Sequence, residues 1–157
     1  MYFIKNTTIV LIAILTWTIP QSQIKTTKHI VEEAKSQIGQ MSIVELKTKI
    51  DSGKTFILID VRTEKECLSG HIESAVWIPG GKVEFATQKI TKDPKVEIII
   101  YCRAGGQGAL SVYALNDIGY EKVFNLDGGF KEWVNAGNSV FNMHGEIKVV
   151  NFEKEER

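Results

Sequence analysis

Cys102 is the residue of this chain best placed to do chemistry. It follows directly on the apolar run Val96 to Tyr101 (VEIIIY), and Arg103, Ala104, Gly105, Gly106, Gln107 and Gly108 come next. A loop so small and rich in glycine can curl around one atom with its amide hydrogens turned inward, a nest that favours negative charge at the centre. The charge would be the sulfur's. An ordinary free thiol ionises near pH ~8.5, and helix amino termini or neighbouring cations favour the nucleophilic thiolate. Arg103 and a helix opening near Gln107 would act in that direction. The turn alone is equally compatible with a buried cysteine that serves as a small apolar residue beside an ordinary strand-to-helix connection.

Few other residues invite a chemical reading. Asp60 and Arg62 close the run FILID-VR, and they can be either a surface ion pair, worth at most ~1 kcal/mol, or a brace for the cysteine loop with Asp60 accepting its hydrogen bonds. His71 has the ring for general-base work, but sulfur chemistry at a thiolate needs no base, so a structural hydrogen bond within a turn is the expectation. Cys67 is expected to pack in the core, with a redox partnership to Cys102 as the alternative. Two cysteines are too few for a disulfide framework, and their spacing fits no zinc pattern. Phe130 and Trp133, at helical spacing, are assigned to packing.

The elements that must hold these residues alternate between strand and helix. Apolar residues at Ile30, Val31, Ala34 and Ile38 predict an N-terminal helix within residues 24–38. Ser42 and Glu45 form a capping box that opens a helix to about Ile50, closed by Gly53. Strands are expected at Phe56 to Asp60, Ala75 to Ile78, Val96 to Tyr101 and Val123 to Leu126. Helices are expected from Gln107 to Ile118 and from Gly128-Gly129 to about Ala136. Such alternation predicts a parallel sheet covered on both faces. Catalytic residues in sheets of this kind gather past the carboxyl ends of the strands, which is where Cys102 falls.

With 157 residues, 43% of them apolar, the chain can bury one ordinary domain, and Lys plus Arg balance Asp plus Glu at 19 each. Nothing in that balance points to nucleic acid. Residues 1–23 differ in character: Lys5 precedes the almost wholly apolar run Ile9 to Ile19, then Pro20 to Gln23. This is the layout of a secretory signal, and it is short of the roughly 20 apolar residues a bilayer span needs. Export to a periplasm or the exterior is therefore expected, with retention as a membrane anchor the alternative because Pro20 and Gln21 suit a cleavage site poorly. The expected organisation is a signal or anchor over 1–23, a helical extension over 24–40, the domain over 41–140 and a tail over 141–157. That tail is expected to be solvated, with a strand over 146–152.

An ordered set of motifs gives this chain a resemblance. DVR at Asp60 to Arg62, Glu66 with GHI at Gly70 to Ile72, AVWIP at Ala75 to Pro79, YCRAGG at Tyr101 to Gly106 and LDGGFKEWVNAG at Leu126 to Gly137 together resemble the rhodanese family of sulfurtransferases. The resemblance spans roughly Met41 to Val140. It implies an α/β fold with a central, mostly parallel five-stranded sheet and helices on both faces. It also implies Cys102 as the catalytic residue, with a persulfide intermediate held by the loop amides. Asp60 and Arg62 would stand beside the loop in support. The partners implied are a small sulfur donor such as thiosulfate, a persulfide or a polysulfide, and a thiol or cyanide-like acceptor. A partner protein would take their place if the domain were a sulfur carrier or binding module. No metal or organic cofactor is implied.

Two features qualify the resemblance. Related phosphatases use a cysteine, five residues and an arginine, and the sixth residue after Cys102 is Gly108, which points away from phosphatase or arsenate reductase chemistry. The family pattern has arginine and then serine or threonine where this chain has Gln107 and Gly108. Its exported members have arginine where this chain has Gly80. Losing guanidinium groups removes a bidentate grip on an oxyanion, which weighs against efficient use of thiosulfate and toward a less charged donor such as a persulfide or polysulfide.

Overall fold

The computed structural model describes residues 24–149. The expected signal or anchor over 1–23 and the end of the chain over 150–157 lie outside the described residues. Among the described residues no helix is long and apolar enough to cross a membrane.

The sheet is built around β4 (Ile98–Tyr101), every residue of which is buried. Its neighbours in chain order are β1 (Gly39–Met41), β2 (Ile57–Asp60), β3 (Val76–Trp77) and β5 (Val123–Leu126). The order across the sheet is β1-β5-β4-β2-β3 and every pairing is parallel. This is the five-stranded parallel sheet implied by the resemblance. Because successive strand residues face opposite sides, β4 sends Ile98 and Ile100 into one core and Ile99 and Tyr101 into the other. An uninterrupted apolar run is what a strand covered on both faces requires.

Helices cover the two faces. On the Ile100 face, α4 (Val83–Ile90) contributes Val83, and α5 (Gly106–Asp117) contributes Val112 and Leu115. On the Tyr101 face, α2 (Ile43–Asp51) contributes Leu46 and α6 (Gly129–Asn135) contributes Trp133. The Ser42–Glu45 capping box forms as expected, and Gly53 follows the end of α2 with a φ of +63° that favours glycine. The N-terminal helix α1 (Thr27–Lys35) begins on a Thr26 cap and packs along α5, with Val31 3.7 Å from where a side chain on Gly106 would begin. The first helix therefore leans on the residue that opens α5, directly behind the cysteine loop.

Several elements depart from the sequence expectation. β1 and α4 were not expected, nor was α3 (Glu64–Ser69), which carries a second capping box between Thr63 and Glu66. The segment beyond residue 140 is not a solvated tail in its described part. Strands β6 (Val140–Asn142) and β7 (Gly145–Ile147) form an antiparallel hairpin, Phe141 exchanges backbone bonds with His71, and Val140 is buried. Apolar residues at 140 and 147 anchor this hairpin, so the strand expected over 146–152 ends, as far as described, at Ile147.

Candidate active site

Cys102 lies one residue past the end of β4, 4% exposed, with its side chain in the core cluster of Ile59, Ile78 and Ile100. The loop from Arg103 to Gly108 turns the chain into α5 through Gly105, whose φ of +83° lies in the left-handed region. Among the described residues, no acceptor takes a hydrogen bond from the amides of Arg103, Ala104, Gly105, Gly106, Gln107 or Gly108, whereas Ala109 N–H already donates to Gly105 O at 3.2 Å. A helix leaves its first amides unpaired in any case. Here the unpaired run begins three residues earlier, immediately after the sulfur-bearing residue. It forms a set of donors with nothing yet to donate to.

The loop's carbonyls are held from outside by α6. Phe130 N–H donates to Cys102 O at 2.8 Å and Lys131 N–H to Arg103 O at 3.0 Å. Gly129 (φ +60°) makes this approach feasible: a Cβ there would stand 2.5 Å from Cys102 O and 2.9 Å from Gly105 N. Tying the carbonyls outward leaves the loop amides for the interior. The motif GGF at residues 128 to 130 thus acts as a clasp on the cysteine loop, a role that packing periodicity did not suggest.

Asp60 does not accept bonds from the loop, contrary to expectation, and it is not half of a surface pair. It is fully buried, and its carboxylate takes Arg62 Nη2 at 2.6 Å, Arg62 Nε at 3.0 and 3.1 Å and Arg62 N–H at 3.0 Å. Arg62 Nη2 also donates to Gly70 O at 2.7 Å, and its guanidinium lies 3.8 Å over the Phe130 ring. Burial works against the Arg62 charge, but the bonds and charge of Asp60 outweigh it and hold the guanidinium above its ordinary range. The pair therefore braces the loop indirectly: it fixes the 62–70 segment and seats Phe130, whose amide grips Cys102 O. Phe130 is only partly buried, so its assignment to packing captures half of its role. Trp133 does pack, 3% exposed.

Cys67 sits on α3 beside Asp60, and burial, followed by the Asp60 carboxylate, pushes its thiol up to about 11. Both cysteines are free. Asp60 pairs in register with Tyr101, which faces the second core, while Cys102 belongs to the first. Opposite faces of the sheet separate the two sulfurs, which argues against a Cys67–Cys102 redox pair. His71 makes the turn bond expected of it, Nδ1 to Ile72 O at 3.0 Å.

The positions that depart from the family pattern are matched by their neighbours. A side chain on Gly80 would meet Gln107 Nε2 at 2.6 Å, so the Gln107 carboxamide lies across Gly80. Likewise a side chain on Gly108 would collide with Asn125 Oδ1. Asn125 is fully buried on β5, its Nδ2 donates to Gln40 Oε1 at 2.8 Å, and its Oδ1, turned toward the loop, has no partner among the described residues. Nothing in the chain around Asn125 signals this role, because its partner Gln40 lies far from it along the chain.

Known proteins resemble this arrangement. The family model for the rhodanese-like domain matches residues 42–136. A Bacillus subtilis protein named as a putative sulfur carrier is 31% identical over 106 residues, which cover 68% of this chain and 56% of that protein. A protein of Allochromatium vinosum named sulfurtransferase is 28% identical over 100 residues, covering 64% of this chain and 92% of its own length. A solved structure from Rhodopseudomonas palustris, described as a protein of unknown function and possible tyrosine phosphatase, superposes with a TM-score of 0.67. It is 25% identical, covering 76% of this chain and 97% of that one.

Proposed function

The chain belongs to the rhodanese-like domain family, and from that premise we propose that it is a sulfurtransferase whose Cys102 carries the transferred sulfur. The Cys102 thiol loses its proton to solvent, and the thiolate attacks the outer sulfur of a donor. The donor's S–S bond breaks with its electron pair on the leaving group, sulfite in the case of thiosulfate or a shortened chain in the case of a polysulfide. The persulfide on Cys102 then lies among the loop amides, which stabilise its negative charge. A nucleophilic acceptor attacks the outer sulfur, the S–S bond to Cys102 breaks, and the thiolate returns.

This reading rests chiefly on the amides from Arg103 to Gly108, unpaired among the described residues, in the loop that follows the buried Cys102. The donor preferred is a persulfide or polysulfide over thiosulfate, because Gln107 and Gly80 leave no guanidinium at either position to grip a sulfonate. Phosphatase chemistry is disfavoured by Gly108, where a phosphate-gripping arginine would be needed. The apolar run Ile9 to Ile19 supports export of the protein from the cytoplasm.

A carrier that loads sulfur and hands it to a partner protein is the second reading, favoured by the similarity to the Bacillus protein. Steady-state sulfur transfer to cyanide separates the two. Turnover with polysulfide that exceeds turnover with thiosulfate is the result expected. Single-turnover loading without turnover on either donor would move the assignment to a carrier, and no loading at all would remove both.

A further inference from the structure

Beneath the cysteine loop lies a buried polar group to which sulfur transfer itself gives no task. Asn125 pairs in register with Ile100 of β4. Paired residues of neighbouring strands project from the same face, so Asn125 stands on the side of the sheet where Ile100 and Cys102 enter the core. The loop and the first turn of α5 pass over it at two glycines. A Cβ on Gly108 would stand 2.4 Å from Asn125 Oδ1 and 3.5 Å from both Cys102 N and Ile100 O, and a Cβ on Gly105 would stand 3.5 Å from Asn125 Nδ2. The carboxamide thus reaches from one glycine to the other, in space that side chains on those residues would otherwise take.

Its two ends are used unequally. Nδ2 donates to Gln40 Oε1 at 2.8 Å, and Gln40 belongs to β1, which precedes the segment matched by the family model. Oδ1 has no partner among the described residues, although Asn125 is fully buried. A buried acceptor without a donor is costly, and in a medium of low dielectric constant it attracts any N–H close by. Those close by belong to Cys102 and Gly108, and neither has an acceptor among the described residues. An acceptor fixed on the sheet and facing donors on the loop sets where the base of that loop rests.

We propose that Asn125 is a positioning residue for the sulfur-bearing loop, supplying from β5 the polar group that Gly108 lacks. This deepens the sulfurtransferase reading of Cys102 and rests on it. Gln40 keeps the carboxamide from turning away, and Oδ1 draws the amides of Cys102 and Gly108 toward β5. The Cys102 backbone, and with it the sulfur, is thereby fixed relative to the amides from Arg103 to Gln107. Asn125 exchanges nothing with the donor or acceptor; its effect reaches the sulfur only through the backbone.

The test separates a polar role from the filling of space. Asn125→Ala empties the site, N125A/G108A refills it with a methyl group, and N125A/G108S refills it with a hydroxyl close to where Oδ1 stood. Gly108 has no positive φ, so both side chains suit its backbone. The rate of Cys102 alkylation by iodoacetamide at a fixed neutral pH, followed on the Cys102 peptide, reports the positioned thiolate without any sulfur donor. N125A and N125A/G108A are expected to react about tenfold more slowly than wild type, and N125A/G108S to recover to within about threefold. Loading of Cys102 from polysulfide should follow the same order. Gln40→Ala, at an exposed edge position that folding does not depend on, frees the carboxamide to turn and should slow alkylation about threefold. Equal rates in the two double variants, or wild-type rates in N125A or Q40A, would overturn the proposal. Failure of Cys102 to load sulfur from any donor, with the order of alkylation rates kept, would instead strike the sulfurtransferase reading and leave the positioning by Asn125 in place.

Discussion

Cys67 and Cys102 are almost equally buried, 6% and 4% exposed, and yet the protein around them treats sulfur in opposite ways. Cys67 faces the Asp60 carboxylate, which together with burial keeps its thiol neutral. Cys102 is followed by a run of loop amides that have no acceptor among the described residues. Under the proposed function it is the groups beside each sulfur, a carboxylate at Cys67 and loop amides after Cys102, rather than exposure, that would separate a reactive sulfur from an inert one. The two environments are also coupled. Asp60, the group that holds Cys67 neutral, also orients Arg62, which seats Phe130, and Phe130 N–H grips the carbonyl of Cys102.

The contrast is broken most severely by exchanging the sulfurs themselves. Cys102→Ser should lower sulfur transfer by about three orders of magnitude or more, while Cys67→Ser keeps most of it, as measured by thiocyanate formation. Equal losses would erase the distinction.

Next in size is Asp60→Asn, which leaves the Arg62 guanidinium buried without its counter-charge. A loss of about 3–5 kcal/mol is expected from the buried pair, seen as a melting midpoint lower by about 10 °C. If Asp60 were instead a surface residue, the midpoint would barely move.

A smaller effect is expected where the loop meets β5. Gly108→Ala forces a methyl group onto Asn125 Oδ1 and should cost about 1–3 kcal/mol. Combining it with Asn125→Ala opens the space again and should recover about 1–2 kcal/mol in a double-mutant cycle. Additive losses would mean that the two residues do not share that space.

The smallest prediction concerns Cys67 and alkaline pH. Its thiol is pushed up from 9.0 to about 11 in the folded protein. A raised acid group contributes stability that is intact below its unfolded value and is lost as pH rises through the folded value. Between pH 9 and pH 11 wild type should therefore lose about 1–2 kcal/mol more than Cys67→Ala, read by urea unfolding at each pH. Parallel curves would show that Cys67 is not held neutral.

How much of this could be read from the sequence depends on how local each cause is. The buried strand Ile98–Tyr101, the Ser42–Glu45 cap and the glycine loop after Cys102 are decided within a few residues, and the sequence shows them. β1 was not legible because it is a short edge strand containing Gly39 and Gln40, held by pairing with β5 more than 80 residues away. The Thr63–Glu66 cap was legible in principle, but the helix it opens spans only six residues, too few to show an apolar stripe at helical spacing. Asp60 was wrongly partnered, because a residue two positions on can chelate its carboxylate more closely than any loop amide. The place of Asn125 under the loop and the Phe130 clasp arise only when distant segments meet, and no spacing in the chain announces them.

The central claim, that Cys102 holds a sulfur among amides that Cys67 lacks, is tested most directly by intact mass. The purified protein is treated with polysulfide, digested and mapped, and then treated with cyanide. One added sulfur on the peptide carrying Cys102, removed by cyanide, with the Cys67 peptide unchanged, is the result predicted. Sulfur on Cys67, or on neither cysteine, would contradict it.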